Sequence, residues 1–187
     1  MGKHVKQNKN QAFLYIVIIG LLISVFAGLT YARYVKEFDQ DTFDIEFIAG
    51  NIKLELSDSA EELVIVPGKE IAKDTKVIVK ANSEACYLFV KLEKSNDFDS
   101  FIDYEIAGEW KPLADNTDVY YCELDKTTSD TDIYIFNNHQ INVKDTITQE
   151  EMESLNENLT INFTAYAVQK TSEITDATVA WNTLNNN

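Results

Sequence analysis

Period-two alternation, broken every few residues by Asp, Asn, Ser or Gly, constrains this chain more than any other feature of its sequence. Phe43, Ile45 and Phe47 alternate with Asp44 and Glu46, and beyond Gly50 the set Ile52, Leu54 and Leu56 alternates with Lys53 and Glu55. Successive side chains on a strand point to opposite faces, so each run has one face to bury and one to leave in water. Two strands are expected to meet near Gly50. Residues 63–66 are apolar on both faces and stop at Pro67-Gly68, where proline fixes φ and glycine supplies the positive φ of a type II turn. Residues 76–80 carry Val77, Ile78 and Val79; then Cys86, Leu88, Val90 and Leu92 oppose Tyr87, Phe89, Lys91 and Glu93 in the strongest strand of the chain. Further strands are expected over 101–106, 119–124, 133–136 and 159–168, the last with Leu159, Ile161, Phe163, Ala165 and Ala167 on one side. Roughly nine short strands at this spacing argue for an all-β, antiparallel β-sandwich rather than a parallel sheet.

Two short peripheral helices interrupt the pattern. Thr148-Gln149-Glu150-Glu151 reads as a capping box opening a helix to about Leu155, the Thr oxygen and the Glu carboxylate each satisfying a free backbone N–H. Ala177, Ala180, Trp181 and Leu184 fall at helical spacing and would lay one apolar stripe on the sandwich.

Ahead of the strands, residues 12–29 form an uncharged apolar run preceded by Lys3, Lys6 and Lys9 and followed by Thr30-Tyr31-Ala32. A basic segment, an apolar core and a small-x-small triplet are the parts of an export signal. Cleavage is expected after Ala32, between Thr30-Tyr31-Ala32 and a new amino terminus at Arg33. That divides the chain into a signal peptide (1–32), an extended arm (33–42) and a sandwich domain (43–187). The uncharged span 10–32 is also long enough to cross a bilayer as a helical anchor, and an uncleaved segment would be the protein's one contact with the membrane.

After cleavage 155 residues remain, with 13 Lys+Arg against all 31 Asp+Glu, so the net charge moves from −15 to −18. Such a balance repels nucleic acid and anionic lipid. Cys86 and Cys122 are the only thiols; in an exported protein they could form a disulfide, or serve as buried small hydrophobes.

Catalytic chemistry lacks its residues. One histidine, His139, follows the signal segment; it lies in Asn137-Asn138-His139-Gln140, read as a loop, and there is neither a His-Glu-x-x-His zinc helix nor a Gly-x-Ser-x-Gly elbow. Asp97, Asp99 and Asp103, and Asp125, Asp130 and Asp132, lack calcium-loop spacing and read as solvated acidic loops. Trp110, Tyr120, Tyr121, Tyr134 and Phe136 could stack on a sugar, though strand aromatics are more often core. No enzyme activity, cofactor or metal is expected.

Several ordered features together are similar to the TasA/camelysin family of exported Gram-positive proteins. They are the signal segment ending Thr30-Tyr31-Ala32-Arg33-Tyr34, the strands around Gly50, the turn Val66-Pro67-Gly68-Lys69-Glu70, and Phe163-Thr164-Ala165-Tyr166-Ala167-Val168-Gln169 followed by a Trp-bearing segment. The resemblance implies a jelly-roll-like sandwich, processing by a SipW-type signal peptidase, and a secreted structural role in extracellular, biofilm-matrix or cell-surface fibres. The chain departs from the pattern in carrying Arg33-Tyr34-Val35-Lys36 where an aromatic-Asn/Thr-Asp stretch is more usual. Its partner would be itself, as a homopolymer, or a related matrix protein. Assembly would proceed by strand donation, the arm residues Tyr34, Val35 and Phe38 anchoring on a neighbour's open sheet edge. The alternative is a monomeric or membrane-anchored surface binding module or adhesin.

Overall fold

Residues 86–94 contain no glycine or proline and are apolar on both faces through Val90, the pattern of a strand covered on both sides. The computed structural model describes residues 43–45, 51–58, 65–155 and 158–185. Its strands are β1 (Phe43–Ile45), β2 (Leu54–Ser57), β3 (Glu70–Ala72), β4 (Lys76–Val79), β5 (Cys86–Lys94), β6 (Ile102–Ile106), β7 (Lys111–Leu113), β8 (Asn116–Leu124), β9 (Thr131–Tyr134), β10 (Phe136–Val143) and β11 (Ile161–Gln169). Among the described residues three helices, α1 (Phe98–Phe101), α2 (Gln149–Ser154) and α3 (Ala177–Asn185), accompany the strands of an all-β architecture.

β5 is the middle strand of a five-stranded sheet of order β1-β11-β5-β8-β7. It runs antiparallel to β11, with Val90 opposite Ala165, and to β8, with Leu88 opposite Cys122. The facing layer consists of two three-stranded antiparallel sheets, β3-β10-β6 and β2-β4-β9. These two are joined where β3 passes into β4 and β9 into β10. Lys73 N–H donates to the His139 carbonyl (2.8 Å), Ile135 N–H to the Thr75 carbonyl (2.9 Å), and Ala107 N–H to the Ile135 carbonyl (2.9 Å). The strands bend at this point while their backbone groups stay paired.

Cys86, Leu88, Val90 and Leu92 face the core between the layers, as the alternation requires. Phe136 of β10 meets Phe163 of β11 edge-on at 5.7 Å, and Tyr104 of β6 packs edge-on against Phe136 at 5.6 Å. The opposite face of β5 presents Tyr87 and Phe89 to α3, whose Ala177, Ala180 and Trp181 close a second core. Trp181 lies 5.2 Å from Phe89 and 5.3 Å from Tyr166, ring to ring. The helix is started by Asp176, whose Oδ1 accepts from Val179 N–H at 2.8 Å.

Two local devices match expectation. Lys69 N–H donates to the Val66 carbonyl (3.0 Å) with Gly68 at φ +74°, closing the turn that Pro67-Gly68 encodes. Thr148 and Glu151 form a reciprocal capping box at α2: Thr148 Oγ1 accepts from Glu151 N–H, and Glu151 Oε2 accepts from Thr148 N–H at 2.7 Å. That hydrogen bond holds the Glu151 carboxyl below its ordinary range. Thr148→Ala is expected to cost about 1 kcal/mol in urea unfolding with an unchanged slope.

Other expectations are corrected. β1 pairs parallel with β11 and β2 antiparallel with β4, while residues 46–50, where the two strands were expected to meet, lie outside the described residues. Among the described residues β1 is therefore the one parallel strand of an otherwise antiparallel architecture. Residues 137–140, expected as a loop, continue β10 through a bulge, and β7 supplies an edge strand containing Pro112, which a strand tolerates only at an edge.

Candidate functional site

β7 covers only part of β8. Its three residues pair with Tyr121, Tyr120 and Asn116, so Cys122, Glu123 and Leu124 have β5 on one side and, among the described residues, no strand on the other. β9 is also an outermost strand among the described residues, paired there with β4 alone. Both edges line one open groove of about 890 Å³, whose walls also include Gly108, Glu109 and the bulge in β10. On its walls Glu123 pairs with Lys170 at 3.0 Å and Asp132 with Lys76, while Glu109 shares the lining with Lys111, so the charges nearly balance.

The bulge is the strained part of this groove. The β10–β6 register slips between Phe136 and Ile141, and Asn138 (φ 51°) and His139 (φ 56°) are both left-handed. Two such non-glycine residues cost about 1–3 kcal/mol each unless their surroundings hold them. Here the His139 ring stacks on Tyr134 at 3.7 Å and 10°, with Nδ1 3.2 Å from Asp74 Oδ1. Asn137 accepts from Asn138 N–H (3.0 Å) and donates to Glu105 Oε2 (2.8 Å).

The other residues singled out from sequence have separate positions. Asp99 pairs with Lys94 at 2.7 Å and Asp103 with Lys144 at 3.5 Å. Burial opposes the Lys94 charge, but the hydrogen bonds that its ammonium donates to Asp99 and Tyr104 outweigh it and raise its pKa. Asp130 accepts from Ala81 N–H (2.9 Å), which depresses its pKa, and Asp132 binds Lys76. Among the described residues no group of three or more His, Cys, Asp or Glu is placed to hold a metal ion. The five aromatic residues do not share a surface. Trp110 and Phe136 are buried, the indole N–H donating to the Tyr134 carbonyl (2.8 Å); Tyr120 packs on the main core and Tyr121 on the second, across the sheet.

Cys86 and Cys122 are buried free thiols on adjacent strands. Their register is diagonal, Cys86 opposite Leu124 and Cys122 opposite Leu88, so neither faces the other directly. Burial pushes the Cys86 thiol up to about 11 and the Cys122 thiol up to about 12. The folded state therefore holds these protons more tightly than the unfolded state. Their contribution to stability is complete below pH 9 and declines as pH rises through about 11 and 12. Native protein at neutral pH is expected to resist alkylation at both positions, with two thiols labelled after denaturation. A native thiol count of two by fast reagents would contradict this.

Thr30, Ala32 and Arg33, and Tyr34, Val35 and Phe38 of the arm, lie outside the described residues. The groove itself was not read from sequence. Pro112 was its one local signal, since a proline within a strand marks an edge. Comparison of the chain with protein-family models, with curated proteins and with solved structures gives no match.

Proposed function

We propose that this chain is a secreted structural subunit of the TasA/camelysin kind, with a jelly-roll-like sandwich. It assembles into cell-surface or matrix fibres by lending its arm, residues 33–42, to the groove of a neighbouring copy. A single observation carries the reading: β8 and β9 turn two uncovered strand edges into one groove. An extended segment placed there gains backbone hydrogen bonds from either wall, the general mode of strand addition.

Length supports the choice of arm. Ten extended residues reach about 33 Å, longer than the four-residue edge of β9 requires, which leaves chain to span the gap between subunits. Arg33, Lys36 and the new terminal amine balance Glu37, Asp39 and Asp41, so the arm brings no net charge into the groove. β1 also enters its own sheet late: upstream of Phe163, β11 offers only Asn162 and Ile161 to anything preceding Phe43. In this reading a SipW-type peptidase releases the arm after Ala32, outside the cell. A related matrix protein carrying the same groove would serve as an alternative neighbour.

A second reading, a monomeric or membrane-anchored surface binding module, draws on the strained Asn138-His139 bulge and its ring stack on Tyr134 in the same groove. The two separate by adding a synthetic peptide of residues 33–42 to protein lacking them. Saturable binding with hydrogen-exchange protection of 122–124 and 131–133 is expected for strand capture. No protection at high peptide concentration, from a parent that also stays monomeric by light scattering, would favour the binding module.

A further inference from the structure

The most deeply buried ion pair described in the molecule lies away from the groove, where β3 passes into β4. Lys73 Nζ stands 2.6 Å from Asp58 Oδ2, and the two side chains are 2% and 3% exposed, although Asp58 as a residue is only part-buried. Thr75, fully buried, donates its hydroxyl to the other carboxylate oxygen, Oδ1, at 2.8 Å. Lys73 and Thr75 are fixed through His139 and Ile135, and Asp58 directly follows β2, whose Ser57 pairs with Lys76.

Burial of two opposite charges is seldom justified by stability alone, because desolvation consumes most of the Coulomb attraction. We propose that Lys73 and Asp58 condense into an intramolecular isopeptide cross-link. The geometry distinguishes the two carboxylate oxygens. Oδ2, hydrogen-bonded to the ammonium, receives a proton from it, giving a neutral amine beside a carboxylic acid. Nζ then forms a bond to Cγ while the Thr75 hydroxyl stabilises the charge that develops on Oδ1. A second proton passes from Nζ to Oδ2, the Cγ–Oδ2 bond breaks, and water leaves. Of the three ammonium protons two depart in the water and one remains on the amide, so atoms and charge balance with no external reactant. The fixed contact lowers the barrier: effective concentrations for well-oriented intramolecular reactions reach about 10⁵–10⁸ M. The product also replaces two buried charges with a neutral amide whose oxygen keeps the Thr75 hydrogen bond.

Intact mass spectrometry of the folded full chain, followed by tandem spectra of its proteolytic peptides, tests this. The chain is expected to be lighter than its sequence by one water, with a branched peptide joining Asp58 to Lys73 and no tryptic cleavage after Lys73. Lys73→Arg keeps the charge and the hydrogen-bond donors but not the nucleophile; it is expected to fold, by circular dichroism, and to appear at full mass. Thr75→Val is expected to lower the cross-linked fraction. An unsubstituted chain at full mass after prolonged folded incubation would overturn the proposal. So would a water loss that maps elsewhere, such as a succinimide at Asp58 beside an unmodified Lys73, or one that persists in Lys73→Arg.

Discussion

Removal of residues 33–42 is expected to leave a soluble monomer with a β-type circular dichroism spectrum that forms no filaments under conditions where the parent does. The effect is all-or-none because β8 and β9 keep their partners β5 and β4 whether or not the groove is filled. Folding is therefore predicted to survive, while the inter-subunit contact loses its donor. Tyr34→Asp with Phe38→Asp should reproduce the loss without shortening the chain. A carboxylate forced into an apolar contact costs several kcal/mol per subunit when fully buried. Light scattering and negative-stain microscopy of the processed protein would read both. Unchanged polymerisation of the deleted chain would mean that the contact lies elsewhere.

Phe136→Ala is expected to have the largest effect on stability, about 3–5 kcal/mol. Phe136 is 1% exposed and links the two layers, edge-on to Phe163 across the core and to Tyr104 beside it. Truncation removes both ring contacts and leaves a cavity that fixed strands cannot close. A domain of ordinary stability has about 5–15 kcal/mol in total, so the urea midpoint should fall by a large fraction. Phe163→Ala in the same background is expected to cost less than it does alone, since the two rings share their contact. Additive losses would show that each ring is held by its own sheet rather than by the other.

Residues adjacent in sequence made much of this architecture legible. The alternation of residues 86–93 is enough to place β5 with Cys86, Leu88, Val90 and Leu92 on one face, and the structure keeps that assignment. Pro67-Gly68 encodes its own turn, Thr148 and Glu151 their own cap, and the spacing of Ala177, Ala180 and Trp181 its own buried stripe. Each depends on interactions within about one turn of chain, so no distant residue can overrule it cheaply.

The candidate site was hidden for the opposite reason. Cys122 was legible as a strand residue, but its position on an uncovered edge depends on β7 ending at Leu113 and on β9 arriving from the other layer. Asn137-Asn138-His139-Gln140 reads as a loop because nothing local signals a strand there. Ile71 and Tyr104, both opposite Ile141, hold it in β10 from either side, with Asn138 and His139 absorbing the extra residues as a bulge.

What the sequence alone determined was the inventory: short strands with one or two apolar faces, a capped helix, an amphipathic helix, and an acidic surface. The partners were decided only in three dimensions. Period two says which side of a strand is buried but not which strand lies beside it, so nothing local announced that β1 would run parallel to β11 at the far end of the chain. Burial of Lys73 against Asp58 was undetermined for the same reason: two charged residues in sequence become a dry pair only when β2, β3 and β4 converge around them.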